Sequence, residues 1–326
     1  MAPRRVRVLF LPSGTELKEP WEGDVIKAVG PQHDLRIFDY DAPVAPQFEG
    51  VEVVIDFSGH LASREMADAA SSAKLWHLLL TGFDHFDLNY WQTKHIPVAN
   101  CPGALAGPAM AEGAIMLMLM LSRQWHESRL SFARRDFYKP LGFELENRLL
   151  LQVGFGGTAR PLASKARAFA MRVGAIDTRD IHESERQEYG LEFVGKPQDL
   201  DEMIPKCDFL SLHLQLDGTT RHIIDARRLA LMKPSAFLIN FARGALVDEQ
   251  ALHSSLAENR IAGAGLDVFG VEPLDPNDPL LKLKNVVATP HNSSVTDGTS
   301  RRRAACVAEN VDRIAKGLPP LYIISE

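Results

Sequence analysis

Leu149-Leu150-Leu151-Gln152-Val153 runs directly into Gly154-Phe155-Gly156-Gly157-Thr158-Ala159-Arg160, and the helix-forming run Pro161 to Ala170 follows. A buried strand, a glycine turn and a helix start in that order form the setting of a dinucleotide-binding loop. Gly154 permits the tight turn, and Gly156 lets the backbone approach a pyrophosphate. The anion then meets the unpaired N–H groups and the positive dipole end of the helix. Ala159 occupies the third position, where glycine is preferred and alanine accepted, so one methyl slightly separates helix from strand. The next apolar run, Arg172–Ile176, ends at Asp177, in the expected window of about 20 residues. A carboxylate there accepts both ribose hydroxyls and repels a 2′-phosphate, which favours NAD. Thr178 and Arg179 follow at once and leave NADP as the alternative, and a turn-capping role is the non-functional alternative for Asp177.

Similar units extend in both directions. Apolar runs at Val6–Phe10, Val51–Phe57, Leu75–Leu80 and Ile96–Ala99 precede the loop's strand. Phe209–Leu212, Ala236–Ile239, Gly263–Leu266 and Val286–Ala288 follow, making ten expected strands with Leu149–Val153 and Arg172–Ile176. Runs of this kind alternating with helical patterns predict an α/β fold of doubly wound parallel sheets. Pro108 to Arg123, with Pro near its start and dense Ala, Met and Leu, reads as one long buried helix. Such a helix needs cover from its own domain or from a second copy, and a homodimer is the expected assembly.

The chain has 326 residues, too many for one hydrophobic core, so two domains are expected. Its 45% hydrophobic and 24% charged residues are the balance of a globular enzyme. A net charge of -6 argues against a nucleic-acid surface. The basic run Arg301-Arg302-Arg303 falls inside an expected helix and reads as a solvated or salt-bridged face. Cys101, Cys207 and Cys306 show neither metal-type spacing nor an even count, which suits a reducing, cytoplasmic compartment. Met1 to Phe10 lacks the continuous apolar core of a signal peptide. Ala114 to Leu121 falls far short of the ~20 residues that cross a bilayer, so no membrane partner is expected.

The segment from Asp208 to Leu252, DFLSLHLQLDGTTRHIIDARRLALMKPSAFLINFARGALVDEQAL, closely resembles the signature region of the D-isomer-specific 2-hydroxyacid dehydrogenases. Thr81–Leu88 (TGFDHFDL), Asn100–Gly103 (NCPG), the glycine loop, Gly265–Leu274 (GLDVFGVEPL) and Ala288–His291 (ATPH) agree in order. The resemblance implies two Rossmann-like domains with an interdomain cleft. Residues 1–103 plus 291–326 would form a flavodoxin-like substrate domain, and 104–290 the NAD-binding domain. The helix Asp297 to Lys316 would cross back. The implied activity is hydride transfer between nicotinamide and C2 of a small 2-oxo or 2-hydroxy acid, as in glyoxylate or hydroxypyruvate reductases.

That chemistry must grip a carboxylate, polarise a ketone and deliver a proton. Arg243 falls just after a strand, where a planar guanidinium can hold carboxylate and carbonyl oxygens together. His291, after Val286–Ala288 and Pro290, would be the acid in reduction and the base in oxidation. Glu272 matches the family position whose carboxylate binds the other ring nitrogen and raises the imidazole pKa. Asp267 matches a position near the nicotinamide amide, with a buried network carboxylate as the alternative. Thr81 and Gly82 match the turn whose N–H groups meet the substrate carboxylate. Leu80 stands where the family often has a second glycine. Gly157, Thr158, Leu214, Gln215, Thr220, Phe241, Ala242 and Ser294 align with further cofactor positions of the family. His213 follows a strand and reads as unpaired. Gln215, Phe241, Asn292-Ser293-Ser294 and a Gly103–Glu112 segment one residue longer than is typical depart from the family pattern around the pocket, not at the three catalytic positions. Alternatives are an NADH-sensing, corepressor-like binding protein and a same-fold formate- or phosphite-type dehydrogenase.

Overall fold

A computed structural model describes residues 4–13 and 19–324; the first three residues of the Met1–Phe10 stretch lie outside them. The chain divides into two compact units, Met1–Leu105 with Val295–Glu326, and Ala106–Ser294. The crossings come two and four residues later than the sequence places them. Arg302 Nε donates to the Leu105 carbonyl (2.6 Å), tying Gly103–Leu105 to the first unit. Asp267 accepts the N–H groups of Asn292 (2.9 Å) and Ser293 (3.0 Å), which keeps that segment with the second.

The first unit holds β1 (Arg7–Leu11), β2 (Asp34–Ile37), β3 (Val53–Asp56), β4 (Leu75–Leu78) and β5 (Val98–Asn100) in the parallel order β2-β1-β3-β4-β5. Val8, Phe10, Val53 and Ile55 bury against one helical layer, whereas Leu9, Leu11, Val54 and Trp76 bury against the other. This is period-two alternation in a sheet covered on both faces. The helix Asp297–Ala315, capped by Thr296, packs on the Trp21–Val29 helix. Its buried face runs through Thr299, Arg303, Cys306, Val307, Asn310, Val311 and Ile314, a three-to-four-residue spacing. The basic run is therefore split. Arg301 pairs with Asp297 at the surface (2.7 Å), but Arg303 is only 3% exposed, contrary to the solvated face expected for it.

The second unit holds β6 (Leu149–Val153), β7 (Arg172–Ile176), β8 (Leu191–Gly195), β9 (Phe209–Leu212), β10 (Phe237–Asn240), β11 (Gly263–Leu266) and β12 (Val286–Ala288). Their order, β12-β11-β10-β9-β6-β7-β8, is all parallel and reverses between β6 and β9. Loops leaving the carboxyl ends of β6 and β9 therefore sit where such sheets bind ligands. Leu149, Leu151 and Val153 face one core and Leu150 the other.

The ten expected runs all form strands within two residues of the predicted bounds, and β2 and β8 are additional. Both are edge strands with partly exposed, mixed-polarity side chains, so neither carries a continuous apolar run. The connector helix spans Gly107–Ser122 and is covered within its own unit by the Ala159–Ala168 helix and β10 to β12. The uncovered apolar surface follows it: Trp125, Leu130, Phe132, Phe137, Tyr138 and Leu141 are all exposed. No helix among the described residues is long and apolar enough to cross a membrane.

Candidate active site

Gly154 leaves β6 at φ +90°, a conformation that side chains rarely adopt. A Cβ there would also lie 2.7 Å from the His213 carbonyl oxygen. At Gly156 a Cβ would meet nothing within 4 Å, so no protein neighbour requires glycine. The space it leaves at a helix start suits an approaching phosphate.

Two groups hold this loop. Asp177, at the end of β7, accepts the Phe155 N–H through Oδ2 (2.7 Å) and the Arg179 N–H through Oδ1 (2.9 Å). The turn-capping role is thus filled, and each carboxylate oxygen keeps a further lone pair for ribose hydroxyls. Arg179, the residue that would read a 2′-phosphate, forks onto Glu185 (2.7 and 2.8 Å) and donates to the Phe155 carbonyl (2.7 Å). His213 is the second group, and the structure corrects its description as unpaired. Its Nδ1 meets Thr158 Oγ1 (3.1 Å), and its Nε2 meets Ser211 Oγ (3.1 Å) and Gln152 Nε2 (3.3 Å). Gln152 Nε2 also donates to the Ala159 carbonyl (2.9 Å), which orients the amide and makes His213 Nε2 an acceptor. Burial pushes the His213 imidazole down to about 3, so it stays neutral. Gln152 and Thr158 lie 61 and 55 residues away in sequence, so only the strand order brings them to His213.

Arg243 follows β10. Asn240, 1% exposed, donates to the Arg243 carbonyl (2.9 Å) and accepts the Ala242 N–H (3.1 Å), shaping the turn that carries the guanidinium. Gly244 comes next, and a Cβ there would fall 1.9 Å from the Phe269 carbonyl carbon. Glycine is therefore required for the β10 turn to abut the turn Phe269 to Glu272. Glu272 Oε1 accepts the Phe269 N–H (2.9 Å), and its Oε2 meets His291 Nδ1 at 2.7 Å. The hydrogen bond to Glu272 raises the His291 pKa first, burial opposes it, and the Glu272 and Asp267 charges add to it. Burial works against charge on Glu272, but the hydrogen bonds from His291 and Phe269 and the charges of His291 and Arg243 outweigh it and lower its pKa. Arg243 thus lies close enough for both partners to feel its charge.

His291 has φ +49°, an uncommon conformation for a residue with a side chain. Asp267, 1% exposed, accepts the Thr289 hydroxyl (2.6 Å) as well as the two N–H groups named above. Those bonds fix the chain on both sides of His291. This is the network role considered for Asp267 from sequence. Phe241 is buried edge-on to His213, with ring centroids 4.9 Å apart. Thr220 donates to the Gln215 carbonyl (2.7 Å) and closes the loop that follows His213 and Leu214. Ser294 ends the second unit. In the first unit, Thr81 precedes Gly82; its carbonyl accepts from Asn100 Nδ2 (2.6 Å) and its hydroxyl from Arg303 Nη2 (3.3 Å).

Comparisons to known proteins identify the family. The model of the D-isomer specific 2-hydroxyacid dehydrogenase NAD-binding domain matches residues 115–293, more than half of the chain. A glyoxylate reductase from Korarchaeum cryptofilum is 36% identical over 270 residues, 80% of this chain and 79% of the relative. A D-lactate dehydrogenase from Aquifex aeolicus, solved with NAD and lactic acid, is 28% identical with TM-score 0.76, covering 95% of this chain and 96% of that one. An NADPH-dependent glyoxylate/hydroxypyruvate reductase from Sinorhizobium meliloti, solved with NADP and malonate, is 25% identical with TM-score 0.80, covering 99% and 97%. The chain belongs to the D-isomer specific 2-hydroxyacid dehydrogenase family, whose enzymes use a nicotinamide dinucleotide.

Proposed function

We propose that the protein reduces a small 2-oxo acid of the glyoxylate, hydroxypyruvate or pyruvate type to the D-2-hydroxy acid with NADH, the reverse oxidation using the same groups. The observation that carries this is the 2.7 Å pair of Glu272 and His291 within reach of the Arg243 charge. Bound NADH supplies the hydride to C2. Arg243 grips the substrate carboxylate and carbonyl oxygen through parallel N–H groups. Glu272 occupies Nδ1 of His291, so the transferable proton sits on Nε2 and passes to the oxygen that becomes the hydroxyl. In oxidation Nε2 takes that proton back. The N–H groups at Thr81 and Gly82 are assigned to the substrate carboxylate, with Leu80 as an apolar wall.

The dinucleotide is assigned to Gly154, Gly156, Gly157, Thr158 and Asp177, with Leu214, Gln215, Thr220, Phe241, Ala242, Arg243, Asp267, His291 and Ser294 around the nicotinamide half. Asp177 and the engagement of Arg179 by Glu185 favour NAD over NADP. The exposed apolar segment Trp125–Leu141 supports a homodimer. In a test with NADH and a panel of 2-oxo acids, loss of nicotinamide absorbance with at least one acid is expected. Binding of NADH without turnover of any acid would overturn the assignment.

A further inference from the structure

The first unit contains a group of side chains that this chemistry does not use. His77 on β4, Cys101 after β5 and Cys306 on the Asp297–Ala315 helix are all buried, and their imidazole nitrogen and two sulfurs lie within 4.8 Å of one another. His77 Nε2 is 3.9 Å from Cys101 Sγ, and Cys101 Sγ is 3.9 Å from the Arg303 carbonyl. Arg303 precedes Cys306 by three residues, on the same helix face. It is 3% exposed, and its Nε and Nη1 have no hydrogen-bond partner among the described residues. The ring of Trp21 lies beneath it at 5.4 Å, and Nη2 donates a long hydrogen bond to the Thr81 hydroxyl. A buried guanidinium without a carboxylate is costly unless another anion balances it.

The hydrogen bonds turn an N–H donor toward the sulfurs, which favours a thiolate there and argues against a metal. Asn310 accepts the Leu321 N–H through Oδ1 (2.7 Å) and donates to the Leu321 carbonyl through Nδ2 (3.0 Å), so its amide has one orientation. Nδ2 then also points at His77 Nδ1 (3.3 Å), which must accept. The neutral ring consequently carries its proton on Nε2, the atom facing the sulfurs. A protonated nitrogen stabilises a thiolate and cannot ligate a cation, and the neighbouring guanidinium opposes a cation further. The hydrogen bond from Cys101 draws the Cys306 thiol well below its ordinary range, with His77 adding and burial opposing; burial holds Cys101 well above it. Cys306 is therefore the more readily ionised of the two thiols.

We propose that Cys306 and Cys101 form a peroxide-sensitive dithiol whose oxidation to a disulfide loosens Thr81. The Cys306 thiolate attacks a hydroperoxide, such as hydrogen peroxide, and breaks its O–O bond. This gives the sulfenic acid and hydroxide, which a buffer acid in the solvent protonates to water. Cys101 then displaces the sulfenic hydroxyl; its thiol proton leaves with that hydroxyl as water, and the S–S bond forms. Two thiols are oxidised by two electrons and the peroxide is reduced. The bond draws the sulfurs from within 4.8 Å to ~2.05 Å and removes the thiol pair whose negative charge favours the charged form of Arg303. Both side chains holding Thr81 adjoin this bond: Asn100 precedes Cys101, and Arg303 lies one turn before Cys306. The consequence for catalysis rests on the assignment of Thr81 and Gly82 to substrate.

Peroxide treatment of the full chain followed by peptide mapping tests the site without any assay of turnover. A Cys101–Cys306 linked peptide, reversed by dithiothreitol, is expected, with Cys207 still reduced because burial pushes its thiol up to about 12. Cys101→Ser should leave a sulfenic acid at Cys306 that dimedone traps. Absence of the linked peptide in the wild-type chain, oxidation of Cys207 as fast as Cys306, or one tightly held zinc lost in C306S would overturn the site. With turnover established, the disulfide form should show a several-fold higher KM for the 2-oxo acid and an unchanged Kd for NADH. A linked peptide with an unchanged KM would overturn the coupling to Thr81. Absence of turnover in both forms would count against the proposed reaction, and the peptide map would still decide the dithiol.

Discussion

His213 and His291 both follow parallel strands of the same sheet, yet their surroundings drive them in opposite directions. His213 has hydroxyl and amide partners but no carboxylate, and burial keeps it neutral. His291 has a carboxylate at 2.7 Å and more solvent, which favours its charged form. A strand-end histidine is therefore not an acid or a base by position. The partner bound at the far nitrogen decides which protonation state it offers.

Exchanging the two roles by mutation gives the sharpest tests. His291→Gln should lower kcat by about 10²–10⁴-fold, the usual worth of a positioned acid, with NADH affinity nearly unchanged. A loss below tenfold would remove His291 from the chemistry. Glu272→Gln should cost roughly tenfold near neutral pH, and its pH profile is the more telling readout. In the proposed reaction reduction draws its proton from His291, so the rate should be level at low pH and fall as pH rises through the raised pKa. Without Glu272 that fall should move to lower pH, and an unmoved limb would break the comparison.

His213→Leu should instead act on the fold and the cofactor. Removing the ring strands Thr158, Ser211 and Gln152, at roughly 1–3 kcal/mol for an unsatisfied buried group, so the melting temperature should fall and the KM for NADH rise while kcat changes little. The pH dependence has a definite sign. The unfolded chain protonates this histidine below about 6.5, whereas the folded chain resists to about 3, so His213 makes stability fall as pH drops through that window. In the leucine variant that part of the slope should vanish. His291 has the opposite linkage: its contribution is complete below about 6.5 and is lost as pH rises through its raised folded pKa. The smallest effect is expected from Gly156→Ala. The added methyl meets no protein atom, so a higher Kd for NADH with an unchanged melting temperature would mark the space as the dinucleotide's. Equal NADH affinity would show that the ligand lies elsewhere.

The glycine loop and the strands around it were legible because each is local: an apolar run, a turn and a helix start occupy consecutive residues. Edge strands β2 and β8 were not, since half-exposed mixed residues carry no continuous apolar run. Arg243, Glu272 and His291 could be named in advance only because several family blocks occur in order; spacing alone gives no reason for them to meet. The partners of His213 were hidden for the same reason. Arg303 was misread because three adjacent arginines look like one basic face. A helix turns about 100° per residue, so the third points where the first cannot. The exposed aromatics of Trp125–Leu141 do not differ in composition from core residues, and burial is a tertiary property.

The first unit is assembled from both ends of the chain, and this sets an order of events at the ribosome. Its central helix supplies Val307, Val311 and Ile314 to a core whose sheet was synthesised some 200 residues earlier. Ala106–Ser294 is continuous and can close while Val8, Phe10 and Ile55 still wait for cover. A nascent chain halted before residue 297 would therefore present a finished nucleotide fold behind an open apolar sheet, the form most in need of a chaperone.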